Sequence, residues 1–288
     1  ACEACRTVKE ILPQFTLRFG KDTPPEVWDA SMRCIGEGRT FPLLYNDEVL
    51  IPAVMHAFDV DRARAETYMP LGCGEIEFDH YSFGSPNGSL GTLKVLELAI
   101  HGGFDPVSKT YLSFKSPTLA ECSSYKEFAT IYKNHLTYFI EAQAKYEKYL
   151  YEAIGKRHPF MMVSMLYDGC LATGKGIFDG GCQYLAGSIE LYGNVDAANS
   201  LAAIKRLVFD KKTMSAEEMI SALDANFVGY ERQRREMMDV PKFGNDETFV
   251  DDILLDLHNF LCETVRKQAP KVGLKSYLCV NINNAQNT

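Results

Sequence analysis

Residues 70–77 read Pro70-Leu71-Gly72-Cys73-Gly74-Glu75-Ile76-Glu77, and a glycine- and serine-rich stretch from Tyr81 to Gly91 follows. Two glycines flank a cysteine, so the backbone there can turn tightly and approach another segment closely. Cys73 and Glu75 are two apart, and in extended chain such residues point to the same side. A sulfur and a carboxylate facing one pocket is what a reactive thiol beside a proton acceptor requires. The same residues also fit a structural cysteine buried in a glycine turn beside an exposed glutamate, because free cysteine is among the most buried residue types. His80 follows in the same loop and is a further candidate. Like Glu77 and Asp79, it equally fits a partly buried or solvated surface position.

Outward from this loop, apolar runs and helical patterns alternate. Phe15, Leu17 and Phe19 alternate with polar residues, which predicts a half-buried strand. Thr23-Pro24-Pro25-Glu26 predicts a capping box opening a helix to about Ile35. Phe41 to Tyr45 reads as a buried strand, Asn46 or Asp47 as the cap of a helix through His56, and Asp61–Tyr68 as a short helix. Beyond the loop, a helix is expected over Leu93–Ile100, closed by Gly102-Gly103. Ser124 with Glu127 predicts a capping box for a long helix to about Ile154, with Phe128, Ile131, Tyr132, Leu136, Phe139 and Ile140 on one face. Phe160–Leu166 is apolar, and Gly169–Gly181 is loop-like. Asp196 and Ser215 are expected caps, and a last long helix spans about Asp246 to Lys267. Ser276–Ile282 alternates like a strand. Strands alternate with helices first and helices dominate later, a pattern that favours an α/β fold with a helical wrap.

Composition sets the outer limits. The 288 residues are 46% hydrophobic and 24% charged, as in soluble globular proteins. Thirty Lys and Arg against 38 Asp and Glu give a net charge of −8, without a polybasic run, which argues against nucleic acid or an anionic membrane as partner. No apolar stretch approaches a membrane-spanning length. The start, Ala1-Cys2-Glu3-Ala4-Cys5, has no signal-peptide pattern. Nine cysteines are too sparse for a disulfide scaffold and suggest reduced thiols in a cytoplasmic setting. Cys2 and Cys5 have CxxC spacing without the second pair a zinc site needs. Gly169-x-x-x-x-Gly174-Lys175 resembles a phosphate-binding loop but has Gly176 where Ser or Thr is required. None of the six histidines has metal-ligand spacing, and His135 sits on the apolar side of its helix as a core residue. The Arg232–Arg235 cluster reads as a solvated face. No cofactor or metal ligand set is expected in this segment.

Five segments together resemble the glycyl radical enzymes of the pyruvate formate-lyase type. They are the Cys73 loop; its downstream helix Leu93–Ile100 with Gly102-Gly103; Asn199-Ser200-Leu201-Ala202-Ala203-Ile204-Lys205; Pro241-Lys242-Phe243-Gly244-Asn245-Asp246; and Gly38-Arg39-Thr40-Phe41-Pro42-Leu43-Leu44-Tyr45-Asn46-Asp47. They stand in family order. The resemblance implies an α/β fold: part of a ten-stranded barrel wrapped by helices, with the cysteine loop threaded inside. It implies that Cys73 is the thiyl radical site, which takes hydrogen from a buried small organic substrate. Glu75, in the family's G-C-x-E pattern, is implied as the acid/base of eliminating and decarboxylating members. A closed interior suits such chemistry because it keeps the radical from water and oxygen.

The same resemblance places the glycyl radical on a residue outside this segment. The family's C-terminal R-V-x-G-[YF] motif is absent from these residues, so residues 1–288 read as the central part of a larger domain, truncated at both ends and inactive alone. The implied partner is a radical S-adenosylmethionine activating enzyme. Family members are often homodimers, which this sequence neither supports nor excludes. Gly72 precedes Cys73, so the adjacent-cysteine pair of true pyruvate formate-lyases is missing, and Phe83–Leu93 contains no arginine for a substrate carboxylate. The expected activity is therefore a glycyl radical lyase of eliminase or decarboxylase type, cleaving a C–C, C–O, C–N or C–S bond. The alternatives are a formate C-acetyltransferase and a non-catalytic relic of the same fold.

Overall fold

The computed structural model describes residues 1–8, 15–39, 41–72, 74–84 and 86–282; Cys73, like Thr40, lies outside the described residues. The fold is mixed α/β and divides into two compact units, Ala1–Ser85 with Ile154–Ala186, and Pro86–Ala153 with Gly187–Thr288.

The chain opens with helix α1 (Cys2–Val8), strand β1 (Thr16–Phe19), helix α2 (Pro25–Gly36) and strand β2 (Leu43–Asn46). β1 and β2 pair in parallel, Thr16 opposite Leu43 and Phe19 opposite Asn46. The Phe41–Tyr45 run is not the fully buried strand its composition suggests. Phe41 is buried, but the strand starts at Leu43 and exposes Leu44, since two strands alone cannot cover both of their faces. The capping box at Thr23 does not form either. Thr23 Oγ1 accepts from the Gly20 N–H at 2.9 Å, and Pro24 takes the N-cap. Helix α3 (Asp47–Phe58) is capped as read, the Asn46 side chain accepting from the Glu48 N–H at 3.0 Å.

One turn of helix, α4 (Arg62–Ala65), leads into a hairpin of β3 (Tyr68–Leu71) and β4 (Glu75–Phe78), with Leu71 opposite Glu75. Strand β5 (Ser82–Phe83) follows. Next come β6 (Pro86–Gly91), α5 (Thr92–Ile100), the short pair β7 (Phe104–Asp105) and β8 (Thr110–Tyr111), and the 33-residue helix α6 (Tyr125–Arg157), which lies in the second unit as far as Ala153. Phe128, Tyr132, Leu136 and Ile140, four apart, form its buried stripe. Ile131 and Phe139, expected on the same face, flank the stripe and are only half-buried.

The apolar Phe160–Leu166 segment forms only one helical turn, α7 (Met161–Ser164), and exposes Met161, Met162 and Leu166. One turn, α8 (Cys170–Thr173), lies inside the glycine stretch that resembles a phosphate loop. No strand runs directly into it, as that motif requires. Strand β9 (Tyr184–Tyr192) pairs in parallel with β5, Ser82 opposite Tyr184, and with β6, Leu90 opposite Leu191.

Helix α9 (Asn194–Ala203) begins two residues before Asp196, after Gly193, and continues into a π-helical stretch over Ile204–Asp210. Then follow α10 (Ala216–Asp224), α11 (Glu231–Met238), α12 (Thr248–Arg266), α13 (Ala269–Val272) and β10 (Ser276–Ile282), which lies next to β9. The Ser215 cap of α10 forms as read, its hydroxyl accepting from the Glu218 N–H at 3.1 Å. Among the described residues the strands make one four-stranded and three two-stranded sheets.

Candidate functional site

Gly72 and Gly74, the described residues on either side of Cys73, lie between β3 and β4. The Gly74 N–H donates to the Leu71 carbonyl at 2.9 Å and closes the turn. Gly74 has φ +135, a conformation in which a side chain would be strained. That backbone aims the same N–H at Glu75, whose Oε2 accepts from it at 3.0 Å.

Glu75 opens β4 and is only 8% exposed. Strand alternation turns Glu75 and Glu77 to the same face, and Glu77 is 4% exposed. Glu75 is therefore buried, not exposed as the structural-cysteine reading has it. The structure likewise corrects the solvated reading of Glu77. The Ser82 hydroxyl on β5 donates to Glu77 in a short hydrogen bond and accepts from the Phe78 N–H at 2.6 Å. Burial dominates the titration of Glu77 and pushes it up to about 7. Hydrogen bonds from Ser82 and the Gly84 backbone pull the other way, and the nearby Glu75 carboxylate adds to the rise.

An apolar shell accounts for that burial. Phe83 packs edge-on against Phe178 and Tyr167, with centroids 4.9 and 6.1 Å away. These rings lie against buried Cys170, Ile177 and Cys182. Below the hairpin, Phe78 meets Phe58 at 4.9 Å and Tyr184 at 5.6 Å, both edge-on. The titratable groups that sense Glu77 from neighbouring elements, Tyr167 and Cys182, are pushed up by burial to about 12 and about 11. Both are neutral at pH 7.

The other sequence candidates lie elsewhere. His80 is exposed, with its ring Nε2 3.4 Å from the exposed Asp79, and the structure does not gather it with Glu75. Cys2 and Cys5 sit half-buried on α1. Among the described residues no group of three His, Cys, Asp or Glu is arranged to hold a metal, and no helix is long and apolar enough to cross a membrane. The second unit contains a cavity of about 1120 Å³ between α5, α9, α10 and α11, and none of Gly72, Gly74, Glu75 or Glu77 lines it. Glu77 and Ser82 were legible only as members of the loop. The signal for them was the alternation Glu75-Ile76-Glu77-Phe78, a strand with carboxylates on its buried side.

This hairpin, with a buried carboxylate directly after Gly74, sits in a chain that matches known proteins along nearly its whole length. The chain belongs to the pyruvate formate lyase-like family, whose profile matches residues 2–280. It is 29% identical over 254 residues to trans-4-hydroxy-L-proline dehydratase of Clostridioides difficile, covering 88% of this chain and 32% of that protein. The crystal structure of the hydroxyproline dehydratase of that organism, with trans-4-hydroxy-L-proline bound, superposes with a TM-score of 0.88 at 27% identity, covering 96% of this chain and 35% of that one. The glycerol-bound B12-independent glycerol dehydratase of Clostridium butyricum superposes with a TM-score of 0.87 at 28% identity, covering 97% and 35%. The chain thus spans about a third of the length of these relatives.

Proposed function

We propose that this chain is the cysteine-loop part of a glycyl radical lyase that eliminates a leaving group from a small polar substrate. The observation that carries the reading is the inward Glu75 carboxylate, held by the Gly74 N–H two residues after Cys73. Relatives named as dehydratases favour C–O cleavage, the loss of water from a hydroxylated substrate. The ten-stranded barrel, a radical S-adenosylmethionine activating enzyme as partner and a cytoplasmic setting belong to the same proposal.

In this reading Cys73 would give its thiol hydrogen to the glycyl radical, on a residue outside this segment, which leaves the unpaired electron on the Cys73 sulfur. Cys73 then takes a hydrogen atom from a substrate carbon that bears a hydroxyl. Glu75 accepts the hydroxyl proton as a carbonyl forms. The leaving group departs from the adjacent carbon, taking that proton from Glu75 as water. Cys73 returns its hydrogen atom, so atoms and electrons balance over the cycle. The apolar shell around β4 and β5 keeps bulk water from the carboxylates, which strengthens each hydrogen bond there.

Two alternatives are weaker. A formate C-acetyltransferase is opposed by Gly72 in place of a second cysteine and by the dehydratase relatives. A non-catalytic relic would leave Glu75 free to face water, whereas Glu75 is buried. The test is anaerobic activation of the protein carrying this chain, followed by a screen of small diols and hydroxylated amino acids for carbonyl or dehydrated products. Cys73→Ala is expected to abolish turnover, and Glu75→Gln to lower kcat by about 10²–10⁴-fold, the usual contribution of a general acid/base. Turnover retained by Cys73→Ala would overturn the reading.

A further inference from the structure

A second constellation lies in the other unit, where α12 faces β10. His258 and Cys262 are four apart on α12 and therefore share one helix face. His258 Nε2 lies 3.5 Å from Cys262 Sγ. On β10, which packs against α12, Cys279 is close enough to Cys262 for the two thiols to titrate as an interacting pair. Two asparagines complete a chain of donors. Asn194 Nδ2 donates to Asn281 Oδ1 at 2.6 Å, which fixes the orientation of that amide. Asn281 Nδ2 then faces His258 Nδ1 at 3.4 Å.

The order of donors decides the protonation pattern. With its amide oxygen committed to Asn194, Asn281 can only donate to His258. His258 Nδ1 is then the acceptor, and Nε2 carries the hydrogen. Nε2–H is thus directed at Cys262, which is left as the acceptor. Hydrogen bonds to a charged form favour that form. In keeping with this, Cys262 is drawn down to about 5, while Cys279 is raised well above an ordinary thiol by the neighbouring Cys262 sulfur and by burial. Among the described cysteines with a resolved shift, Cys34, Cys122, Cys170 and Cys182 are all pushed up by burial.

We propose that Cys262 is a reactive thiolate and Cys279 its resolving thiol, together forming a modification site for peroxides. The Cys262 thiolate attacks the terminal oxygen of a hydroperoxide. The O–O bond breaks, and the leaving alkoxide or hydroxide picks up a proton to give an alcohol or water. Cys262 becomes a sulfenic acid. The Cys279 sulfur then displaces the sulfenic hydroxyl, which leaves as water with the Cys279 proton. A Cys262–Cys279 disulfide results. The two thiols lose two electrons and the peroxide gains them. The site involves neither Cys73 nor Glu75, so it stands whatever reaction the loop performs.

The experiment treats the reduced, full-length protein with less than one equivalent of hydrogen peroxide under anaerobic conditions, followed by non-reducing peptide mapping. The expected result is a Cys262–Cys279 linkage ahead of oxidation at Cys34, Cys122, Cys170 or Cys182. In Cys279→Ser, Cys262 is expected to stop at the sulfenic acid and be trapped by dimedone. Iodoacetamide at pH 6 is expected to label Cys262 on the order of tenfold faster than an ordinary thiol. This figure follows from thiolate fractions at pKa 5 and 8.5, offset by the lower intrinsic nucleophilicity of the more acidic thiol. His258→Gln removes that advantage. Oxidation spread over the other cysteines with no 262–279 linkage, or labelling of wild-type Cys262 no faster than Cys122, would overturn the proposal. Both of these readouts use the unmutated protein and do not depend on the variants folding.

Discussion

The Ser82 hydroxyl sits between Glu77 and the Phe78 N–H, donating to the first and accepting from the second. It ties β5 to β4 and gives a buried carboxyl group a side-chain donor. Glu77 keeps its proton up to about pH 7, while in the unfolded chain it ionises near pH 4.3. Between those values the folded state binds more protons, so stability falls as pH rises and levels off above pH 7. Glu77→Gln removes this slope. The variant is expected to match the wild type near pH 4 and to be more stable at pH 8 by about 3–4 kcal/mol, the equivalent of the shift. Urea midpoints at the two pH values check it; parallel curves for both proteins would contradict it.

Ser82→Ala deletes the donor and leaves Glu77 with less support for its ionised form. The carboxyl titration, followed by its infrared C=O band, is expected to move above pH 7. A downward move would mean that Ser82 is not the group holding Glu77.

His135 is enclosed on α6. Ser113 Oγ lies 2.8 Å from Nδ1, Ser116 Oγ lies 2.9 Å from Nε2, and Phe114 stacks on the ring at 4.3 Å. Burial lowers its pKa. The unfolded histidine protonates near pH 6.5 and the folded one resists, so this contribution is present above pH 6.5 and lost as pH falls below it. His135→Ala leaves both hydroxyls without the ring and a cavity behind, a cost of about 2–4 kcal/mol. Thermal midpoints of the variant between pH 5 and 8 are expected to be lower and flatter than those of the wild type.

Arg18 on β1 forms a fork on Asp47, with Nε and Nη2 each 2.9 Å from a carboxylate oxygen. Its Nη1 reaches the Tyr68 carbonyl at 2.8 Å, and the Tyr68 hydroxyl donates to Asp47 at 2.7 Å. The guanidinium also stacks 3.9 Å above the Tyr68 ring. A point charge reproduces neither the fork nor the stack. Arg18→Lys is therefore expected to lower stability by about 1–2 kcal/mol, read as an earlier unfolding midpoint. An unchanged midpoint would show the fork to be dispensable.

Gly84 follows β5, where a Cβ would come within 2.8 Å of the Ala186 Cβ and 2.9 Å of the Ala186 carbonyl carbon. Gly84→Ala is expected to push β5 off β9 and to disturb Ser82 and Glu77 with it. Gly20→Ala, with open space at the same atom, is the matched control and is expected to fold like the wild type. Near-ultraviolet circular dichroism of the two variants separates the cases.

Sequence reading found the elements whose burial follows a single period. Helices α5, α6, α10 and α12 and strands β1 and β10 fall within a few residues of expectation, because each has one apolar stripe or a clean alternation. It missed the β3–β4 hairpin, since β3 contains Pro70 and β4 turns glutamates rather than apolar residues inward. The short helices α7 and α8 carried no periodic signal, being one turn each. At the site, Cys73 and Glu75 stood out through their flanking glycines. Glu77 did not, because only the return of β5, bringing Ser82 beside it, and the rings of Phe83 and Phe178 make that position a buried one. His258 and Cys262 had the four-residue spacing of a helix face, but their partners Cys279 and Asn281 come from a strand about twenty residues on, which spacing along one helix cannot reveal.

The backbone of Gly74 has a consequence for anyone who wishes to broaden the chemistry of this hairpin by randomising it. At φ +135 nineteen of the twenty residue types begin with a conformational handicap. A library open at position 74 would mostly return clones in which the Glu75 carboxylate has lost its donor. Diversity is better placed at Ile76, half-buried between the two glutamates, where a change of size reshapes the surroundings of the carboxylates without moving the turn that presents them.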